Sequence, residues 1–349
     1  MYPILDFICD MLGRGTPVIL ARITSQRGST PRSAGTLMAV NADGAIAGTI
    51  GGGLLEGRAT AQSLELLKNG GSRWISFDLS AVDVAAMDMM CGGALSVLLD
   101  HLRPDEETLA VFNRWRQALI REENGFLLTL FCGDEKGDGA TRHALVLDDG
   151  TRYGQTDLPQ DALARLVRSL RQADTLQIVD MDGQRVVIEP ARKPDALFIF
   201  GAGHVALPTA RLAALVGFRV EVLDDRAEFA NRQRFPEVRA VHVLTDFDLA
   251  LQELSVDAQS SLVILTRGHL YDRTVLAQAL RTPARYIGMI GSRRKRDALY
   301  ASLLSDGFST RDLQRVHSPV GLNIGAESPE EIAVSIVAEL IQERSWSRS

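Results

Sequence analysis

The sequence predicts an α/β protein of two domains, the second a doubly wound parallel sheet. Three observations carry this reading. The 349 residues are 46% apolar and 23% charged, enough to bury a core in each half. From residue 194 onward, strand-like and helix-like stretches alternate, the pattern of parallel sheets covered by helices. The first of these strands, Ala196 to Phe200, runs into Gly201-Ala-Gly203-His204-Val-Ala206. Strand, glycine turn and helix start, at the spacing Gly-x-Gly-x-x-Ala, form the dinucleotide-binding arrangement of Rossmann-like sheets.

Each position in that turn has a physical task. Gly201 permits the turn, Gly203 lets backbone approach a pyrophosphate, and small Ala206 lets the helix pack against the strand. The helix start offers free N–H groups to an anion. About 20 residues on, as the pattern requires, Val220 to Leu223 ends in Asp224-Asp225-Arg226. Asp224 is the carboxylate expected to meet a ribose; it repels a 2′-phosphate, and Arg226 tempers that exclusion. Which nucleotide the turn serves stays open at this point.

Composition narrows the function. A net charge of −6 and a pI near 5.6 argue against nucleic acid and anionic membrane as partners. The three cysteines, Cys9, Cys91 and Cys132, form neither a disulfide framework nor a Cys-x-x-Cys metal signature. The start of the chain lacks a basic region before its apolar residues, and no apolar run reaches membrane-spanning length. A reducing cytoplasm is the expected setting.

The amino-terminal half, residues 1–190, reads as an α/β domain with a mixed sheet and glycine-rich loops. Residues 3–13 have helical spacing (Ile4, Leu5, Ile8, Met11, Leu12) and stop at Gly13. Residues 17–23 read as a strand leading into Arg27-Gly-Ser29-Thr-Pro-Arg32-Ser-Ala-Gly35, a loop rich in hydroxyls and guanidiniums. Strand 36–40, a hairpin turn at Asn41-Ala-Asp43-Gly44 and a return strand follow. The return strand enters Gly48-Thr-Ile-Gly51-Gly52-Gly53-Leu-Leu-Glu56 and then a helix over 54–68. Three glycines before a helix make a second anion cradle or a crowded turn holding no ligand.

Met87-Asp88-Met-Met-Cys91-Gly92-Gly93 precedes the apolar strand 94–99. A thiol beside two glycines is accessible, and free N–H groups favour its thiolate. Read alone, Cys91 is better taken as a small buried hydrophobe, the commoner fate of a free cysteine. Cys9 and Cys132 read as packing residues. Helices over 105–120 and 158–173, strands over 125–132 and 144–147, and a hairpin about Asp182-Gly183 complete this half.

The second domain, residues 194–349, has strands expected at 196–200, 220–223, 240–244, 262–265 and 285–290. Ligands of such sheets lie beyond the carboxyl ends of the strands. Those ends carry Gly201 to His204, Asp224 to Arg226, Arg267-Gly-His269, and Gly291-Ser292-Arg293-Arg294-Lys295. Basic residues opening a helix oppose its dipole unless an anion sits there. No His-x-x-x-His spacing exists, so no metal is expected on histidines. Ser328-Pro329-Glu-Glu331 reads as a capping box for a last helix.

Taken in order, these segments resemble the xanthine dehydrogenase accessory factor family, the XdhC/CoxI family, which serves molybdenum hydroxylases. The matching stretches are Arg27 to Val40, Gly48 to Glu56, Met90-Cys-Gly-Gly93, Phe200 to Ala206 and Val222 to Arg226. Thr266 to Asp272, Tyr286 to Lys295 and Ser318 to Gly325 continue the series. The resemblance implies an accessory chaperone, not a stand-alone enzyme. Such a protein binds the molybdenum cofactor, supports its sulfuration by a cysteine desulfurase, and delivers it to an apo hydroxylase. It implies a homodimer, and makes Cys91 the residue that contacts molybdenum or handles sulfur. It also makes Arg27, Ser29, Arg32, Gly51, Gly52 and Gly53 cofactor contacts. In the second domain, Gly201, Gly203, His204, Asp224, Arg226, Arg267, His269, Ser292 and Arg293 would hold a nucleotide. That nucleotide is either NAD(P) or the nucleotide half of a pterin dinucleotide, so mono- and dinucleotide cofactor forms both remain. An NAD(P)-dependent oxidoreductase, or a nucleotide sensor without chemistry, are the competing readings.

Overall fold

The computed structural model describes residues 2–346 apart from 79–92, 134–136, 157, 159–162, 164, 168–174 and 182. The chain forms two compact units, Met1–Lys193 and Pro194–Ser349.

The first unit carries α1 (Tyr2–Gly13), β1 (Val18–Arg27), β2 (Leu37–Asn41), β3 (Ile46–Gly48) and α2 (Gly53–Asn69). Next come β4 (Ser72–Asp78), β5 (Ala94–Leu102), α3 (Glu106–Ile120), β6 (Gly125–Gly133) and β7 (Asp138–Leu147). It ends with β8 (Arg152–Gly154), β9 (Gln177–Met181) and β10 (Gln184–Ala191). The strands form one sheet in the order β3-β2-β1-β5-β4-β7-β6-β10-β9, with β8 on β7. The expected mixed sheet is antiparallel in every pairing among the described residues. The reason is the connections. β2 and β3, β6 and β7, and β9 and β10 are hairpins, and α2 delivers β4 antiparallel to β5.

Period-two alternation gives this sheet two apolar faces. Val18, Leu20, Leu102, Leu127 and Leu145 pack with α1 and α3 around Phe112 and Trp115. Ile19, Ala21, Ile23, Val97 and Leu99 pack with Leu55, Ala59 and Leu66 of α2. Cys9 lies in the first of these cores, and burial pushes its thiol up to about 11. Cys132 does not pack inside as expected; it is exposed at the end of β6, where the chain leaves the core.

The second unit carries β11 (Ala196–Phe200), α4 (Ala206–Leu215), β12 (Arg219–Asp224), β13 (Ala240–Val243) and β14 (Ser261–Ile264). It continues with α5 (His269–Ala279), β15 (Tyr286–Met289), α6 (Arg293–Ser305), α7 (Thr310–Leu313), β16 (Val316–His317) and α8 (Pro329–Trp346). Its six strands run parallel in the order β13-β12-β11-β14-β15-β16. This is the doubly wound Rossmann order, and it reverses between β11 and β14. Every residue of β11, β14 and β15 is buried, as two covered faces demand. Phe198, Phe200 and Ile264 face α5 and α6, while Leu197, Ile199 and Val263 face α4 and α8. Ser328 and Glu331 exchange the two capping-box hydrogen bonds at the start of α8. Among the described residues, no helix is long and apolar enough to cross a membrane.

Candidate functional site

In the first unit the glycine-rich loops meet at one corner. A side chain at Gly51, whose φ is 135°, would strike the Pro31 ring at 2.7 Å, so the two loops are in contact. A side chain at Gly93 would meet the carbonyl oxygens of Ser29 and Arg27 at 2.4 and 2.6 Å. A cleft of about 610 Å3 opens beside them. Gln26, Thr30, Arg32, Ser33, Thr36 and Thr49 give it hydroxyls, an amide and one guanidinium. Arg27 and Ser29 are exposed next to it but do not line it. Cys91 lies outside the described residues.

The turn expected as an anion cradle already holds an anion, the chain's own Glu56. Its Oε1 accepts from Ile50 N at 3.2 Å, from Gly52 N at 2.9 Å and from the Thr49 hydroxyl. Gly51 N donates to Thr49 Oγ1 at 3.2 Å. Burial raises the Glu56 carboxyl, but the bonds from Thr49, Gly52, Gly51 and Ile50 outweigh it and hold it below its usual range. Glu56 stands in the first turn of α2, where the helix dipole also favours a negative charge. Glu56→Ala is therefore expected to cost about 1–2 kcal/mol, read by urea unfolding, since it strands several donors. No measurable loss would show that the glycines hold the turn unaided.

In the second unit the carboxyl ends of β11, β12, β14 and β15 carry the expected residues. Gly201, at φ 107°, packs so tightly on Leu265 that a side chain would stand 2.3 Å from its carbonyl oxygen. Nothing lies within 4 Å of the Cβ position at Gly203. No side chain caps α4; Leu207 N already donates to Gly203 O at 3.3 Å and Pro208 has no N–H, so within the first turn Ala206 N is the group left for a ligand. Asp224 is buried and bound to Ala202 N at 2.7 Å and to Arg226 Nε at 2.8 Å. Arg267 reaches Asp225, and its guanidinium lies 5.3 Å from the Tyr271 ring centre. His204 and His269 are exposed, and neither has a side-chain partner among the described residues.

The basic start of α6 is partly neutralised from within. Ser292 caps the helix by accepting from Lys295 N. Lys295 pairs with the fully buried Asp272, whose other oxygen accepts from Thr266 Oγ1 at 2.5 Å. Arg296 pairs with Asp297. Arg293 and Arg294 are exposed without a partner among the described residues. Glu56, Asp225 and the Asp272–Lys295 pair are the participants that sequence reasoning missed. Glu56 and Asp272 lie four residues after Gly52 and Gly268, Lys295 answers Asp272, and Asp225 follows directly on the strand beside the Gly201 turn.

Residues 11–78 match the family model for XdhC and CoxI, and residues 197–340 match that for the XdhC Rossmann domain. Over 330 residues the chain is 30% identical to a Bacillus subtilis protein described as a probable xanthine dehydrogenase subunit, covering 93% of each. The chain belongs to the XdhC and CoxI family. This XdhC-type chain is also 24% identical over 343 residues to the molybdenum cofactor insertion chaperone PaoD of Escherichia coli, covering 98% of itself and 88% of PaoD. It is 26% identical over 326 residues to the uncharacterised E. coli protein YqeB, of whose length it spans 43%. A crystal structure described as a xanthine dehydrogenase from Bacillus halodurans is 26% identical and superposes with a TM-score of 0.79, covering 99% of this chain and 96% of that one. Cys91 falls in neither range matched by the XdhC models.

Proposed function

We propose that this XdhC-type protein carries the molybdenum cofactor as cargo. It holds the cofactor while a cysteine desulfurase exchanges an oxo ligand for sulfido, then passes it to an apo molybdenum hydroxylase. The observation that carries this reading is the corner of the first unit where the Arg32-lined cleft, the Pro31–Gly51 contact and Gly93 come together. Its donor set fits a pterin phosphate. Arg32 offers a bidentate guanidinium and Ser33 a hydroxyl, whereas the hydroxyl protons of Thr30 and Thr49 are already given to Arg32 O and Glu56 Oε1. The glycine turn fits less well, because Glu56 already takes two of its N–H groups. Cys91 stands two residues before Gly93 in sequence, and Gly93 packs on Arg27 and Ser29. A thiolate there supplies the soft ligand that molybdenum or a transferred sulfur accepts.

The second unit binds a nucleotide in this reading, either NAD(P) or the nucleotide half of a pterin dinucleotide. The protein works in the cytoplasm as a homodimer. Anaerobic purification followed by mass spectrometry of the bound small molecules tests the reading. A pterin mono- or dinucleotide is expected; NAD alone, with turnover of a small substrate, would replace it by the oxidoreductase reading. Cys91→Ala is expected to lower activation of the client hydroxylase at least tenfold with an unchanged circular dichroism spectrum. Normal activation by that variant would remove Cys91 from the mechanism.

A further inference from the structure

We propose that Asp225, not Asp224, is the carboxylate that reads the ribose of a nucleotide at the glycine turn, and that Arg267 moves from Asp225 to the phosphates as it does so. The inference rests on the nucleotide reading of the second unit and names the ligand class: a nucleoside diphosphate with free vicinal hydroxyls.

A carboxylate has about four acceptor positions. Those of Asp224 are all taken. Oδ2 accepts from Ala202 N at 2.7 Å and Arg226 Nη2 at 2.9 Å, and Oδ1 accepts from Arg226 N at 3.0 Å and Arg226 Nε at 2.8 Å. The residue is only 2% exposed. A ribose hydroxyl finds no lone pair there, and displacing Arg226 would leave a buried charge without its partner. Asp224 ties the end of β12 to Ala202 and so sets the shape of the turn.

Asp225 differs in both respects. Its Oδ2 accepts from Arg267 Nη2 at 2.7 Å, while its Oδ1 is buried and accepts no hydrogen bond. Arg226 Nε stands 3.9 Å from Oδ1, beyond hydrogen-bond reach. Half of this carboxylate is therefore unspent, although its side chain is 15% exposed. A buried acceptor without a donor is costly, and a hydroxyl relieves it.

The topology puts the pair where a nucleotide lies. β11 runs between β12 and β14, so the Asp225–Arg267 bridge spans the end of β11, from which the glycine turn departs. Gly201 packs on Leu265 and Thr266, which binds the turn to the strand end that carries Arg267. A diphosphate laid on the turn competes for the Arg267 guanidinium, and a ribose diol donates to the carboxylate it vacates. One ion pair is exchanged for a guanidinium–phosphate pair and a diol–carboxylate pair. A 2′-phosphate would bring its charge against Asp224 and Asp225 together.

Calorimetric titration of the full chain with four ligands tests this. ADP-ribose and 2′-phospho-ADP-ribose probe a nicotinamide-type source, and CDP and 2′-deoxy-CDP probe a pterin dinucleotide source. At least one diol ligand is expected to bind, about tenfold or more tighter than its 2′-modified partner. Asp225→Asn should weaken the diol ligand about tenfold and erase most of that preference. If ligands bind and the preference survives Asp225→Asn, the assignment is wrong while the nucleotide reading stands. If the preference instead disappears in Asp224→Asn with an unchanged melting temperature, Asp224 is the reader. If none of the four ligands binds the native chain, the nucleotide reading itself falls and takes the inference with it.

Discussion

Arg22→Met is expected to destabilise the first unit by about 3–5 kcal/mol, the usual loss when one partner of a buried ion pair is removed. Arg22 is fully buried on β1, on the face that carries Val18 and Leu20. Four other strands add one polar residue each, two positions from a member of the same apolar layer. These are Asp100 beside Leu102, Thr129 beside Leu127, His143 beside Leu145 and Glu189 beside Ala191, all buried. They form a polar rung across the sheet. Arg22 Nη1 donates to Thr129 Oγ1 at 3.0 Å, and His143 Nε2 lies 2.8 Å from Asp100 Oδ2. Arg22 Nε stands 2.9 Å from Glu189 Oε2, an ion pair whose alignment falls short of a hydrogen bond.

β1 and β10 are five places apart in the sheet, about 24 Å if it were flat. The sheet must therefore curl until its two sides face each other, and Arg22 joins them. One guanidinium answers two acids. Burial raises the Asp100 carboxyl, but His143 and Arg22 outweigh it and hold it low; burial of Glu189 wins over Arg22 and holds that carboxyl high. In the variant, Glu189 loses its counter-charge and rises further. A folded carboxyl raised above its unfolded value binds more protons than the unfolded chain, so stability falls as pH rises through its range. The deficit of Arg22→Met should thus be smallest in acid and grow toward neutral pH. Urea unfolding followed by the fluorescence of buried Trp115 reads this. A loss that is flat with pH would mean the rung stays hydrated or relaxes. Adding Glu189→Met should recover part of the stability, because the orphaned Glu189 charge is then gone while Asp100 keeps its contact with His143.

The second sheet was legible because its central strands are short unbroken apolar runs closed by glycine or threonine. Ala196 to Phe200 and Leu262 to Leu265 leave little choice of assignment. β16 was not, since Val316 and His317 are too few to show a period. β4 was missed for a different reason: its buried residues Ser72, Ile75 and Phe77 break the period of two. The first half of β7, from Asp138 to His143, has no apolar period and is held by pairing with β6 and, at Asp138 and Gly139, with β4. At the sites, glycines and guanidiniums were visible as donors, but their occupants were not. Glu56 sits one helical turn beyond Gly52 and fills its N–H, and Arg226 folds back onto Asp224 two residues away. Such local closures depend on rotamers, which residue spacing does not encode.

Asp224→Asn is expected to cost the second unit about 2–4 kcal/mol. The substitution keeps the volume, yet the site offers only donors. Ala202 N and Arg226 Nη2 face one oxygen, and Arg226 N and Nε face the other. An amide must turn its own N–H groups toward one of these pairs. Burial raises the Asp224 carboxyl, but Arg226 and Ala202 outweigh it and bring it down to about 2. A folded carboxyl below its unfolded value gives stability that is present above about pH 4 and lost as pH falls toward 2. Asparagine cannot titrate, so the gap between native chain and variant should be full at neutral pH and narrower near pH 3. Hydrogen exchange of the peptides spanning β11 and β14 separates this unit from the first. A gap of the same size at both pH values would mean that the charge of Asp224 contributes nothing. A large, acid-sensitive gap would mean that this carboxylate is committed to the turn. Gly201 adds to that commitment: with φ 107° and no space for a side chain, its peptide has one arrangement against Leu265, which the Ala202 N–H to Asp224 bond fixes from the other side. A residue so fully engaged in holding the turn has no acceptor to lend, and a ligand on the turn must be read by its neighbour.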